Sequence, residues 1–232
     1  MLTRLRRRIL IPVVKFIAPS KSELGLIEFI SRENLSAIAL FRLDGWKEIL
    51  FRDLTLSSQD LVCVFGAYLG DSIYDYRTRF DVSIVGLEPV SEYQKHLSGR
   101  FKNDVKVQIL PIGVSDRDES IRIELSDDGT SFYKNGGSSE IVNCTDVVNL
   151  LDSFDQIPKI IEINIEGSEF RVLKRLLASH HAKSIRTLII QFHDFVEDSE
   201  LQRAEIRKTL SENYDEFFCY PFVWERWDRK SD

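Results

Sequence analysis

Two short segments gather groups able to bind a ligand and move a proton. Residues 161–170 read IEINIEGSEF, an isoleucine-rich run closing on Asn164, Glu166, Gly167 and Glu169; residues 187–194 read TLIIQFHD, closing on Gln191, His193 and Asp194. An imidazole titrates near pH 6.5 when unperturbed, so His193 can take a proton at neutral pH. It can equally serve as a partly buried histidine bonded to a backbone carbonyl. Asn164, Glu166 and Glu169 fall where an apolar run stops, the place for pocket-rim groups, with Glu169 as a substrate contact. A second reading makes Glu169 a first-turn acid favoured by the helix dipole. Asn164, Glu166 and His193 or Asp194 also form a donor set suited to magnesium or manganese, but no spacing demands a metal and none is expected.

A second set has the types that cradle a nucleotide. Phe65 to Ser72 reads FGAYLGDS, in which Gly66 and Gly70 let the backbone of Ala67 and Tyr68 approach a ligand. Alone, this spacing also describes a plain strand-to-helix turn. About twenty residues later comes Glu88-Pro89, where an acid can accept hydrogen bonds from the two vicinal hydroxyls of a ribose. Ser115 and Asp116 follow a third apolar run and suit either contact with an adenine ring or a simple turn.

These groups need a scaffold that brings distant strand ends together. The runs LVCVFG, VSIVGLE, VKVQILPIG, KIIEINIE and IRTLIIQFH alternate with helical stretches, the pattern of a parallel sheet covered on both faces. In such a sheet ligands bind beyond the carboxyl ends of the strands, where every residue named above falls. Phe170, Leu173, Leu176 and Leu177 supply a buried helix face after the Gly167 turn. Residues 1–58 show three- and four-residue apolar spacing and form a helical cap on the same globular unit; residues 59–232 form the main domain. Residues 119–144 hold two alternating pieces around a Gly-, Ser- and Asp-rich stretch, an inserted hairpin or loop over the sheet edge. The aromatic end FFCYPFVWERW reads as strand near an edge, with Trp224 and Trp227 either stacking on a sugar ring or packing in the core, the second being favoured.

The bulk properties narrow the partners. A net charge of -6 gives no general attraction to nucleic acid. Met1 to Lys15 is the exception, with five basic residues and no acid; it is an ordinary first helix or an arm resting on an anionic membrane surface. Pro12 and Lys15 interrupt its apolar stretch, which argues against a signal peptide. No run reaches the roughly 18 to 20 apolar residues that span a bilayer, so a soluble, cytoplasmic protein is expected. Cys63, Cys144 and Cys219 lie far apart in apolar segments, a pattern of buried reduced thiols. His180 and His181 are adjacent and His96 stands alone, so structural zinc is not expected.

FGAYLGDS, LEPVSEY, EINIEGSEFRVL, IIQFH and FVWERW, in this order, resemble the FkbM family of S-adenosylmethionine-dependent methyltransferases over roughly residues 60 to 228. The resemblance implies a doubly wound, Rossmann-like class I methyltransferase sheet with an antiparallel last strand, and transfer of a methyl group to a hydroxyl of a sugar or other natural product. It places Gly66 and Gly70 beside the methionine end of the cofactor and Glu88 on the ribose. Two positions depart from the family pattern: Val64 replaces an acidic residue, and Glu162 stands where lysine is common. Asn164 replaces the more frequent aspartate and matches a branch reading N-I-E-G with a similar V-W-E-x-W ending.

The expectation is therefore an S-adenosylmethionine-dependent O-methyltransferase acting on a saccharide or glycosylated small molecule, with His193 or Glu166 as base. Two alternatives stand beside it. A silent relative that binds a partner fits the departures at Val64 and Glu162. A nicotinamide-dependent oxidoreductase would share the sheet, but the chain has neither G-x-G-x-x-G nor a Tyr-x-x-x-Lys pair.

Overall fold

The structure, a computed structural model, describes residues 35–126, 129–131 and 139–231. Its centre is a seven-stranded sheet. Five strands run parallel: β1 (Leu61–Phe65), β2 (Ser83–Leu87), β3 (Val107–Leu110), β8 (Ile160–Ile163) and β9 (Thr187–Ile190). Two more complete it, β10 (Tyr214–Tyr220) and β11 (Trp224–Arg229). The order is β10-β11-β9-β8-β1-β2-β3, with the last strand antiparallel to both neighbours, as expected. Pro221 falls in the turn between β10 and β11, where its missing N–H breaks no ladder.

The strands are apolar because both faces are covered. Side chains alternate across the sheet, so Cys63, Phe65, Ile161, Ile163, Leu188 and Ile190 pack on one side. They meet α5 (Val147–Asp152), α6 (Glu169–Leu177) and α7 (Ser199–Asn213). Val62, Val64, Ile84, Ile160 and Ile189 face the other way. There they pack with α1 (Leu35–Leu43), α2 (Trp46–Phe51), α3 (Asp71–Phe80) and Leu97 of α4 (Ser91–Arg100). Each fully buried aliphatic side chain contributes about 1.5 to 3 kcal/mol. Residues 1–34, which hold most of the expected cap and the whole basic arm, lie outside the described residues.

One expected strand is two. The run VKVQILPIG breaks at Pro111-Ile112, leaving β3 in the main sheet and sending β4 (Gly113–Ser115) into a second sheet. Proline cannot donate to a ladder, and pairing ends there. The expected insertion supplies the rest of that sheet, β5 (Glu119–Ser126), β6 (Gly129–Ser131) and β7 (Ser139–Asp146), in the order β4-β7-β5-β6. Residues 127–128 and 132–138 of the insertion lie outside the described residues.

The chain runs from β1 outward to β3, then crosses back to place β8 on the other flank of β1. Strand order therefore reverses between β1 and β8, and open sheets of this kind place their ligand crevice beyond the carboxyl ends at such a reversal. Phe65 pairs with Ile163, which sets Gly66 beside Asn164. Ile163 pairs in turn with Ile190, which brings the residues after β9 to the same edge.

Candidate active site

The glycine turn is built from left-handed backbone. Gly66, Tyr68 and Gly70 have φ of 85°, 47° and 86°. A Cβ on Gly66 would stand 1.9 Å from the Asn164 carbonyl oxygen, so only glycine lets β1 and β8 lie this close. Gly70 answers to packing instead, because a Cβ there would meet Phe101 at 2.5 Å and Leu97 at 2.8 Å. Tyr68 is a non-glycine in a strained conformation, and its ring stands edge-on to Tyr93 at 4.6 Å.

Glu88 lies under this turn, buried. Its Oε2 accepts from the Tyr68 N–H at 2.8 Å and its Oε1 from the Val90 N–H at 2.9 Å. Burial pushes its pKa up to about 6, against those two hydrogen bonds, with Glu140 adding a smaller push. A carboxylate offers about four acceptor positions, so two remain. The carboxylate thus fastens the glycine turn to the end of β2.

At the other flank the carboxylates divide their roles. Glu169 is fully buried at the start of α6. Its Oε2 accepts from the Gly167 N–H at 2.8 Å; its Oε1 accepts from the His193 backbone N–H at 2.9 Å and lies 3.0 Å from His193 Nδ1. A carboxylate this enclosed cannot meet a substrate, and the expectation of a substrate contact at Glu169 is corrected: it orients His193. The carboxylate on Nδ1 makes that nitrogen the protonated one and leaves the Nε2 lone pair outward. Nε2 stands 3.8 Å from Glu166 Oε1. Glu166 holds a left-handed φ of 51°, followed by Gly167 at 99°, so this turn too is strained where its side chain meets the crevice. Burial lowers the His193 pKa, but the hydrogen bond and charge of Glu169, with Glu166 and Asp194 behind it, outweigh that and hold it above its ordinary value.

Asn164 sits between the two flanks. Its N–H donates to Phe65 O at 3.0 Å, while its Oδ1 is buried with no hydrogen-bond partner among the described residues. Such an atom costs roughly 1 to 3 kcal/mol unless something donates to it. It is the acceptor a ligand ammonium or hydroxyl would find beside the Gly66 turn.

Three predicted residues have other occupations. The one Ser115 hydroxyl hydrogen is shared between Glu119 at 2.7 Å and Asp116 at 3.1 Å, and Asp116 and Glu119 both pair with Arg171. These groups tie the second sheet to α6. Trp224 lies at the carboxyl edge, since its neighbour Glu225 pairs with Ile190, but its ring packs partly buried against the α1–α3 cluster. Gly66, Ala67, Tyr68, Glu88, Asn164, Glu166 and His193 all follow the ends of β1, β2, β8 and β9. Sequence reasoning did not single out Tyr93, although it closes the LEPVSEY segment. It also missed the pairing of Glu169 with His193, because the two stand 24 residues apart, with α6 and β9 between them.

The departures at Val64 and Glu162 prove to be cross-strand partners. Val64 is buried among Ile73, Tyr76 and Ile84. Glu162 is buried beside it, and its Oε2, like the Tyr76 hydroxyl, has no hydrogen-bond partner among the described residues. Burial raises the Glu162 pKa, with the charge of Asp75 adding to the rise.

No protein-family model matches this sequence, and no curated protein matches it. Solved structures do. SMU.1697c from Streptococcus mutans, described as a methyltransferase and solved in complex with SAH, is 7% identical and superposes with a TM-score of 0.51, covering 79% of this chain and 96% of that one. A chain of the fibrillarin/Nop5p complex is 12% identical with a TM-score of 0.50, covering 86% of this chain and 82% of that one. At these identities the likeness is one of fold. The architecture is the Rossmann-like class I methyltransferase fold, with its mostly parallel sheet and antiparallel last strand.

Proposed function

We propose that this protein is an S-adenosylmethionine-dependent methyltransferase of FkbM type that methylates a hydroxyl of a saccharide or glycosylated small molecule. The observation that carries it is the Glu169–His193 pair, whose outward Nε2 stands at the carboxyl edge of this fold, on the strand next to Asn164. The residues of the crevice fit the cofactor: Asn164 Oδ1 awaits a donor, and Glu88 keeps acceptor positions for a ribose beneath the Gly66 turn.

The cofactor supplies a sulfonium-activated methyl group, so the protein needs chiefly to align the acceptor oxygen and remove its proton. His193 Nε2 takes the hydroxyl proton. Glu169 holds the ring and stabilises the imidazolium that forms, while Glu166 faces the same nitrogen and accepts a hydrogen bond from the protonated ring or the acceptor. Tyr68 and Tyr93 form an apolar wall on the glycine-turn side.

Calorimetry with S-adenosylhomocysteine, followed by methyl transfer to a panel of saccharides, tests this reading. The wild-type chain binds the product and methylates at least one hydroxylated acceptor. His193→Ala retains binding within a few-fold and loses about 10²- to 10⁴-fold in turnover. Tight NADH binding with no heat from S-adenosylhomocysteine would replace this reading with an oxidoreductase.

A further inference from the structure

We propose that Asp152, His180 and His181 form a binding site for one first-row divalent transition-metal ion, zinc being the natural occupant, at the end of the sheet opposite His193. The site is independent of the proposed methyl transfer. Asp152 ends α5, ahead of the start of β8; His180 and His181 open the 3-10 turn His180–Lys183, just ahead of the start of β9. Two elements distant in sequence thus bring two imidazoles and a carboxylate together, a donor set that suits zinc.

One carboxylate oxygen faces both imidazoles. His181 Nε2 lies 2.8 Å from Asp152 Oδ1, and His180 Nε2 lies 3.6 Å from the same oxygen. With metal–ligand bonds of roughly 2.0 to 2.2 Å, neighbouring donors of a tetrahedral site stand about 3.3 Å apart, between those two values. One donor atom from each of the three residues fits within 4.8 Å of the others. A simple His181–Asp152 hydrogen bond needs nothing from His180, whose contact is too long to be one. Consecutive residues of a 3-10 turn project about 120° apart, yet these rings converge, with centroids 3.9 Å apart and planes tilted by 37°.

The support is rigid on one side and open on the other. His181 is buried, and the turn that carries it is pinned by the Tyr214 hydroxyl, whose one hydrogen is shared between Ala182 O at 2.6 Å and Ile185 O at 3.1 Å. The His180 side chain is 72% exposed and Asp152 is exposed as well, so an ion can enter from solvent and keep water as its fourth ligand. On binding, the His181 Nε2–H···Oδ1 contact gives way to coordination, its proton passing to Nδ1 or to solvent, because each imidazole must present a lone pair.

Zinc titration of the full, untagged chain by calorimetry tests the proposal. The expected result is saturable binding of one zinc per chain through this site, weakened at least about tenfold in His180→Ala and in Asp152→Asn, as expected for loss of a direct ligand. His96→Ala, at an exposed histidine elsewhere on the surface, leaves it unchanged. His180 is exposed, so its alanine variant keeps the fold, which circular dichroism checks. Absence of saturable binding at about 1 mM zinc, a range typical of the weakest specific metal sites, overturns the proposal. So does binding that survives in His180→Ala or is lost in His96→Ala.

Discussion

Two buried glutamates on the central sheet live under opposite regimes. Glu225, on β11, has its carboxylate filled by Arg203, Arg207 and the Trp227 indole N–H, with Arg207 also paired to Glu216. Glu162, on β8 and on the other face, has no cation shifting its pKa and an oxygen with no hydrogen-bond partner among the described residues. The first region is a closed polar network that fastens α7 to the terminal hairpin. The second lies beneath the crevice, next to Asn164, whose own acceptor is also unmatched. Buried polar groups are normally satisfied, so unmatched ones gathered at one end of the sheet are what the proposed cofactor site would leave when empty of donors.

The sharpest way to break that contrast is to remove one partner from the closed network. Glu225→Ala leaves two guanidiniums short of their counter-ion and is expected to destabilise the fold by about 3 to 5 kcal/mol in urea melts. A loss below about 1 kcal/mol would place the network among weak surface pairs.

Next comes the carboxylate at the site itself. Glu169→Gln removes the charge that raises the His193 pKa and loosens the ring, so turnover should fall by about 10²-fold. Turnover of the wild-type chain should rise with pH through a value above 6.5, the ordinary pKa of His193, because the base acts in its neutral form. In Glu169→Gln that inflection moves down. An unchanged inflection would show that Glu169 acts on structure alone.

Glu88 gives a smaller, pH-dependent effect. Its folded-state pKa is raised from 4.5 to about 6, so folding stability from this group is highest below pH 4.5 and falls as pH rises through 6. The span is about 2 kcal/mol, since one pKa unit is worth about 1.4 kcal/mol. Melts of Glu88→Gln across this window should lose that slope, and bound S-adenosylhomocysteine should alter it if ribose hydroxyls reach the carboxylate.

The smallest change is expected at Glu162. With its pKa raised by burial, it too favours the fold at low pH and weakens it as pH rises. Glu162→Gln removes the charge, so stability at pH 7 should stay level or improve. A loss above about 1 kcal/mol would mean that the carboxylate is held by partners after all, and the contrast with Glu225 would dissolve.

The five apolar runs of the sequence correspond to β1, β2, β3, β8 and β9, and the polar residues at the ends of β1, β2, β8 and β9 collect at one edge of the sheet, while those after the third run go to the second sheet. Alternation and apolar content depend on immediate neighbours and on whether both faces are covered, so they are written locally. The break at Pro111 was also present in the sequence, but where β4 goes depends on its pairing with β7, some thirty residues on. The role of Glu169 was not legible, since a first-turn acid looks the same whether it faces solvent or the imidazole of the next strand.

By itself the sequence determined a parallel sheet covered on both faces and the strand ends at its carboxyl edge, because periodicity and glycine turns are properties of short stretches, while the doubly wound order and the antiparallel last strand were implied by the family resemblance alone. Only the tertiary structure decided which buried acids meet partners: Glu169 finds His193, Glu225 finds two arginines, and Glu162 finds Val64. Those outcomes follow from register and crossover, which join residues far apart in the chain, and a hydrogen bond exists only where both of its ends arrive.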